Sequence, residues 1–198
     1  MISAPDAILL HVRSLPEGSM VSPNELVHLG SNASIRQALC QLSKEGKLLR
    51  VAPGTYVAPV TGRFGVRAPA STKVVQAWVV RTGEIIVPHG ASAANALGLT
   101  LQVPIREIYL TSGRTRTLKL GKSEVAFKHA PPWMLVLGTR PAGAAVCALA
   151  WMGPAHVHES LATLHHVLSP DEWKLLTSVR NTLPSWMAKA IEKEASSF

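Results

Sequence analysis

The sequence predicts an α+β chain in two parts: a small helical N-terminal part closed by a hairpin, then a larger mixed α/β C-terminal part that ends in several helices. Three observations carry that reading. Apolar residues recur at helical spacing through residues 6–45. A Pro-Gly pair at 53–54 then splits two β-prone runs. Beyond residue 84, short β-prone runs give way to four successive helical patterns.

Taken in order, residues 6–14 form an amphipathic helix through Ile8, Leu9 and Val12, broken by Pro16-Glu17-Gly18. Ser22 and Pro23 supply an N-cap and a first-turn proline for a second helix to about His28, with Glu25 in its first turn and Gly30 as its stop. A third helix over 32–45, capped by Ser31 or Asn32, places Ile35, Ala38, Leu39 and Leu42 on one face. The opposite face carries Ala33, Gln37, Cys40 and Lys44, flanked by Ser34, Arg36 and Gln41. Gly46 ends that helix. Residues 48–51 and 55–57 are strands around Ala52-Pro53-Gly54, a sequence suited to a type II turn. Helix, helix, tight turn, helix and two-stranded wing, in this order, predict a winged helix-turn-helix over 1–60.

Residues 61–69, rich in Gly, Pro and Arg, read as a linker to a C-terminal domain over 70–198. Within it the sequence predicts helices at 73–81 and 90–97, the latter stopped by Gly98. Strands are expected at 84–87, 107–111 and 135–137, and a hairpin of 115–120 with 124–128 around Gly121-Lys122. Helices follow at 142–152, 157–167, 170–180 and 185–195, the third opened by a Ser169–Glu172 capping box.

Composition narrows the function classes. Hydrophobic content of 47% against 16% charged suits a globular chain rather than a disordered one. No run of about 18 apolar residues is present to span a membrane. Asp6, His11 and Arg13 interrupt any leader-like stretch, so a cytoplasmic location is expected. Cys40 and Cys147, far apart and each in an apolar helical pattern, read as two buried free thiols. The net charge of +8 points to an anionic partner. Its distribution is uneven: +1 over residues 1–60, +8 over 61–140 and −1 over the remainder.

Enzymatic motifs fail one by one. Gly121-Lys122-Ser123 resembles the end of a phosphate-binding loop, but Arg116 stands where the earlier glycine is required. Residues 61–140 hold only Glu84, Glu107 and Glu124, too spread for a two-metal centre. The late histidines (His129, His156, His158, His165, His166) lack acidic or Cys companions at ligand spacing. Ser92 sits in GASAA, not in a nucleophile elbow. No catalytic residue, metal site or cofactor is expected.

Duplex DNA is the partner that the first 60 residues suit. The N-terminal half of a recognition helix meets base edges in the major groove, and Ser34, Arg36 and Gln37 occupy that half. Arg pairs with guanine and Gln with adenine by two hydrogen bonds each. Gln41 reaches a base or a phosphate, while Lys44, Lys47 and Arg50 suit phosphates. Arg114, Arg116 and Lys119 form a candidate second nucleic-acid surface, and a solvated edge hairpin is an equal reading of them. The alternative for the whole chain is an RNA- or protein-binding role carried by the basic 61–140 region.

Three stretches resemble the AbiEi-type antitoxins, transcriptional regulators of type IV toxin–antitoxin systems. They are GSNASIRQALCQLSKEGKLLRVAPGTY at 30–56, IVPHGASAANALGLTLQVPIREIYLTSGRTR at 86–116 and APPWMLVLGTRPAG at 130–143. The resemblance spans nearly the whole chain. It implies a winged helix that binds an inverted repeat upstream of its own operon and represses it, acting as a monomer or dimer cooperatively on DNA. It also implies a C-terminal domain with antitoxin function and a nucleotidyltransferase toxin countered without a stable complex. Wings of that family are often Arg-rich; here the wing reads VAPGTY, with Arg50 as the nearest charge.

Overall fold

In the computed structural model, which describes residues 3–63 and 65–196, the chain opens with α1 (Ala4–Ser14). Ser3 caps it, its hydroxyl accepting the Asp6 N–H at 3.4 Å, and Ile8 and Val12 are its buried positions. A two-residue strand, β1 (Met20–Val21), follows. The expected second helix is present at Pro23–Leu29 but is 3-10 rather than α. Only Leu26 of it is buried. The Glu25 carboxylate accepts both the Ser22 N–H (2.7 Å) and the Ser22 hydroxyl (2.9 Å), which tightens its first turn.

Then come α2 (Asn32–Lys44), β2 (Leu49–Ala52) and β3 (Thr55–Val57). The strands form an antiparallel sheet in the order β1-β3-β2. Gly54 between β2 and β3 has φ +67°, the left-handed value that a type II turn requires after Pro53. Ile8, Leu26, Ile35, Leu39, Leu42 and Leu48 pack into one apolar cluster beneath this sheet and its helices.

The stretch expected as a linker is a hairpin. β4 (Val60–Gly62) and β5 (Gly65–Arg67) pair antiparallel, Val60 opposite Arg67 and Thr61 opposite Val66. Arg67 donates to Glu17 at 3.1 Å, and the Ala70 N–H donates to the same oxygen at 2.9 Å, so the hairpin base is tied down rather than loose. α3 (Ser71–Thr82) follows and stops at Gly83, with Arg81 paired to Glu25 at 2.9 Å.

The remaining elements are β6 (Ile86–Pro88), α4 (Gly90–Ala96), β7 (Glu107–Thr111), β8 (Arg116–Leu120), β9 (Ser123–His129), α5 (Pro132–Leu135), α6 (Pro141–Met152), α7 (Val157–Val167), α8 (Pro170–Ser178) and α9 (Ser185–Ala195). Four strands form a sheet in the order β6-β7-β9-β8. Residues 135–137, expected as a strand, instead close the end of α5: the Gly138 N–H donates to the Leu135 carbonyl at 2.9 Å, and Met134 bonds Pro131 likewise. The two prolines at 131–132 favour that turn over a ladder. α6 is apolar all round, burying Ala142, Ala145, Val146, Cys147 and Leu149, as a central helix must. The Ser169 capping box is half formed. Its hydroxyl accepts the Glu172 N–H at 3.3 Å, but the Glu172 carboxylate turns instead to Arg140 (2.6 Å) and the Ala142 N–H (2.9 Å).

Two compact units result, Met1–Glu84 with Thr117–Ala126, and Ile85–Arg116 with Phe127–Phe198. Residues 1–2 and 197–198, the outer ends of the expected domains, and position 64 of the expected linker lie outside the described residues. The protein is mixed α/β with several C-terminal helices. Among the described residues no helix is long and apolar enough to cross a membrane.

Candidate nucleic-acid interface

α2 divides cleanly along its length. Ile35, Ala38, Leu39 and Leu42 are buried, and Ser34, Arg36, Gln37, Gln41 and Lys44 all face solvent. Ser31 caps the helix, its hydroxyl accepting the Ser34 N–H at 3.3 Å. No acidic residue sits in the first turn, so the positive end of the helix dipole is not offset there.

The exposed side chains differ in how free they are. Arg36 reaches back to Asn32 over a long 3.5 Å, a contact that is easily exchanged. Gln41 donates to Glu45 at 2.9 Å, and Lys47 pairs with the other oxygen of the same carboxylate at 2.7 Å. Hydrogen bonds from Lys47 and then Gln41 hold the Glu45 carboxyl below its ordinary value. Glu45 thus occupies two of the expected DNA contacts, and sequence reasoning assigned it no part. Its position one residue past the helix end was the available signal. Arg50 lies exposed on β2, opposite Tyr56.

Cys40 is exposed on this same face, not buried as expected. Helical spacing puts it about 140° from Ile35 and about 100° from Leu39, off the buried stripe, so the thiol turns outward.

Arg114 and Arg116 belong to one compact unit and Lys119 to the other. Arg114 is exposed, and its carbonyl accepts the Arg116 Nε–H at 2.9 Å. The loop holding them is braced: Gly113 N–H bonds Thr111 Oγ1 (3.0 Å), His129 Nδ1 meets the Gly113 carbonyl (2.8 Å), and His129 N–H donates to Thr115 Oγ1 (3.0 Å). Lys119 is exposed on β8.

A second feature escaped the sequence. In the C-terminal unit Trp133, Trp151 and Trp186 line a cleft of about 500 Å³, together with His89, Gly90 and Cys147. Its walls carry no carboxylate, Lys or Arg. His89 Nδ1 accepts the Ala91 N–H at 3.3 Å, and burial, followed by the nearby Lys128 charge, lowers its pKa, which leaves a neutral ring with Nε2 as the donor. The Cys147 thiol donates to the Met134 carbonyl at 3.3 Å, and burial pushes it up to about 11, too high for a nucleophile at neutral pH. Four of the five tryptophans falling after residue 130 was the trace of this cleft in the sequence.

Among the described residues no group of three or more His, Cys, Asp or Glu is placed to hold a metal ion. A family model described as "Family of unknown function (DUF6088)" matches residues 7–174. No curated protein matches the chain. Among solved structures, the Rv2827c protein from Mycobacterium tuberculosis is similar, with a TM-score of 0.53 and 16% identity over 100% of this chain and 78% of that one. At that identity the likeness concerns the fold alone.

Proposed function

We propose that this chain, which belongs to the DUF6088 family, is a winged helix-turn-helix repressor that reads duplex DNA upstream of its own gene with α2. The observation that carries this reading is the solvent face of α2. Ser34, Arg36 and Gln37 stand exposed on the half of the helix that meets base edges, with no acid in the first turn. The order of helix, 3-10 helix, helix and turn-linked β2-β3 supports it. Lys44, Lys47 and Arg50 take phosphates, and Lys47 exchanges Glu45 for a phosphate oxygen when it does so. The resemblance to AbiEi-type antitoxins adds a cytoplasmic antitoxin role against a nucleotidyltransferase toxin, without a stable complex.

Fluorescence anisotropy tests the reading, with the upstream duplex against a scrambled one from about 50 to 200 mM salt. Preference for the upstream duplex, lost in Arg36→Ala and Gln37→Ala, is the expected result. Equal, weak binding to both duplexes, untouched by either substitution, would sink it. That outcome would favour the second reading, an RNA or protein partner met by the basic 61–140 region. The charge distribution speaks for this rival, since residues 61–140 hold the whole net excess of +8 and residues 1–60 only +1.

A further inference from the structure

Three indoles from three helices line one cleft: Trp133 of α5, Trp151 of α6 and Trp186 of α9. Trp151 is 40% exposed, and Trp133 and Trp186 pack on the core with only part of their surface. A tryptophan has roughly 150–250 Å² to bury, so three left part-open around one space hold much unsatisfied apolar area. The space, about 500 Å³, falls among small-molecule sites, which run from about 300 to 1,000 Å³. Pro154 and Pro184 line it as well, and their fixed φ sets the shape before anything binds.

The walls select by charge. No Asp, Glu, Lys or Arg lines the cleft, so an ion entering it loses water and meets no counter-charge. Indole faces attract cations, but Lys128 stands close enough to act on the His89 ring, and its charge repels a second one. One polar handle is present. His89 Nδ1 accepts the Ala91 N–H at 3.3 Å, which places the ring proton on Nε2, and that N–H meets no partner among the described residues. The Cys147 thiol is already turned to the Met134 carbonyl.

We propose that this cleft binds an uncharged, planar heteroaromatic molecule of nucleobase size, its ring packed on the indoles and one of its acceptor atoms taking the His89 Nε2–H. Planarity follows from the tryptophans: a flat ring makes stacked or edge contacts with indoles that an aliphatic body of equal volume does not. The acceptor follows from His89, because a hydrocarbon ring would strip water from that N–H and replace it with nothing. Every lining residue belongs to the C-terminal unit, so the site stands independently of the DNA reading of α2.

Adenine, neutral at neutral pH, is the probe. The full chain labelled with nitrogen-15 gives one indole N–H signal for each of its five tryptophans, assigned by single Trp→Phe variants. Adenine is expected to shift the signals of Trp133, Trp151 and Trp186. Those of Trp78, in the other unit, and Trp173, edge-on to His165 with ring centroids 4.8 Å apart, should stay in place. Benzoate, benzyltrimethylammonium and cyclohexanol, titrated alongside, should bind roughly tenfold or more weakly.

Two variants probe the contacts. Trp151→Ala keeps the Cβ that lies against Gly90, and His89→Asn keeps a side-chain acceptor for the Ala91 N–H. Each should hold the wild-type thermal midpoint and bind adenine roughly tenfold more weakly. If either loses stability, the ranking of probes on the wild type decides alone. The proposal is overturned by equal shifts at all five indoles, or by none at millimolar adenine. A charged probe or cyclohexanol binding as tightly as adenine also overturns it, as does wild-type affinity in a stable His89→Asn.

Discussion

Replacing Gly90 with alanine should destabilise the C-terminal unit, against the direction helix propensity gives. Gly90 opens α4 in ordinary helical conformation, so no backbone strain demands glycine there. Alanine in a helix is worth up to about 1 kcal/mol over glycine. The space tells the opposite. A Cβ at Gly90 would stand 2.5 Å from the Cys147 carbonyl oxygen and 2.6 Å from the Trp151 Cβ, both on α6. Carbon contacts settle near 3.5–4.0 Å, so α4 and α6 must part by on the order of 1 Å. Overpacking of this kind costs about 1–3 kcal/mol, which leaves a net loss centred near 1 kcal/mol, and at most about 2 kcal/mol, after the propensity gain. For a chain of this length a loss of about 1 kcal/mol lowers the thermal midpoint by about 2–4 °C. Trp133, Trp151, Trp173 and Trp186 all belong to this unit, so tryptophan fluorescence during heating or urea unfolding reports on it. Gly98→Asn is the control: Gly98 has φ +73° with nothing within 4 Å of an added Cβ, and asparagine tolerates that conformation. A Gly90→Ala midpoint equal to or above wild type would refute the crowding argument.

Further outcomes are open to direct measurement. Leu39→Ala removes a fully buried side chain from the N-terminal cluster and should cost about 2–5 kcal/mol in urea unfolding. A thiol reagent should label Cys40 in the native protein and Cys147 only after denaturant is added, since one is exposed and the other buried. Gln37→Ala should lose about 1–3 kcal/mol of preference for the upstream duplex while keeping the wild-type salt slope, whereas Lys44→Ala should flatten that slope by about 1. The Arg140 hydrogen bond, then the Ala142 N–H, lower the Glu172 pKa from 4.5; its stabilisation is therefore present above about pH 4.5 and lost as pH falls through the lower folded value. Urea midpoints taken from pH 6 down to 3 should fall less steeply in Glu172→Gln than in wild type.

How much of this could be read from the chain alone varied with the strength of the local signal. α2 was legible because its apolar period, its Ser31 cap and the Gly46 stop agree. β7 came out to the residue at Glu107–Thr111, and Gly121 placed the turn between β8 and β9. β1 could not be seen, since two residues carry no period, and it exists only because Met20 and Val21 meet Val57 and Tyr56. The Gly- and Arg-rich composition of residues 61–69 outweighed the weak alternation that pairs β4 with β5. Of the candidate site, the exposure of Ser34, Arg36, Gln37, Gln41, Lys44, Lys47 and Arg50 agrees with the helical period and the β2 position. The hold of Glu45 on Gln41 and Lys47 depends on side-chain reach beyond the helix end, which spacing does not encode. Nor does spacing gather Trp133, Trp151 and Trp186, which come from three different helices.

Thr117–Ala126 belongs to the compact unit that otherwise ends at Glu84, and this bears on biosynthesis. The apolar cluster of Ile8, Leu26, Ile35, Leu39, Leu42 and Leu48 is drawn from the first 58 residues, whereas Leu118, Leu120 and Val125, almost wholly buried, come from the later segment. A ribosome moving at about 5–20 residues per second supplies them some two to eight seconds after Glu84 has been joined. During that interval the N-terminal helices can close their own cluster, while the rest of the unit waits for a piece of chain that has not yet been made. A slow codon stretch before residue 126 would lengthen the wait, and a protein truncated at Glu84 would never end it.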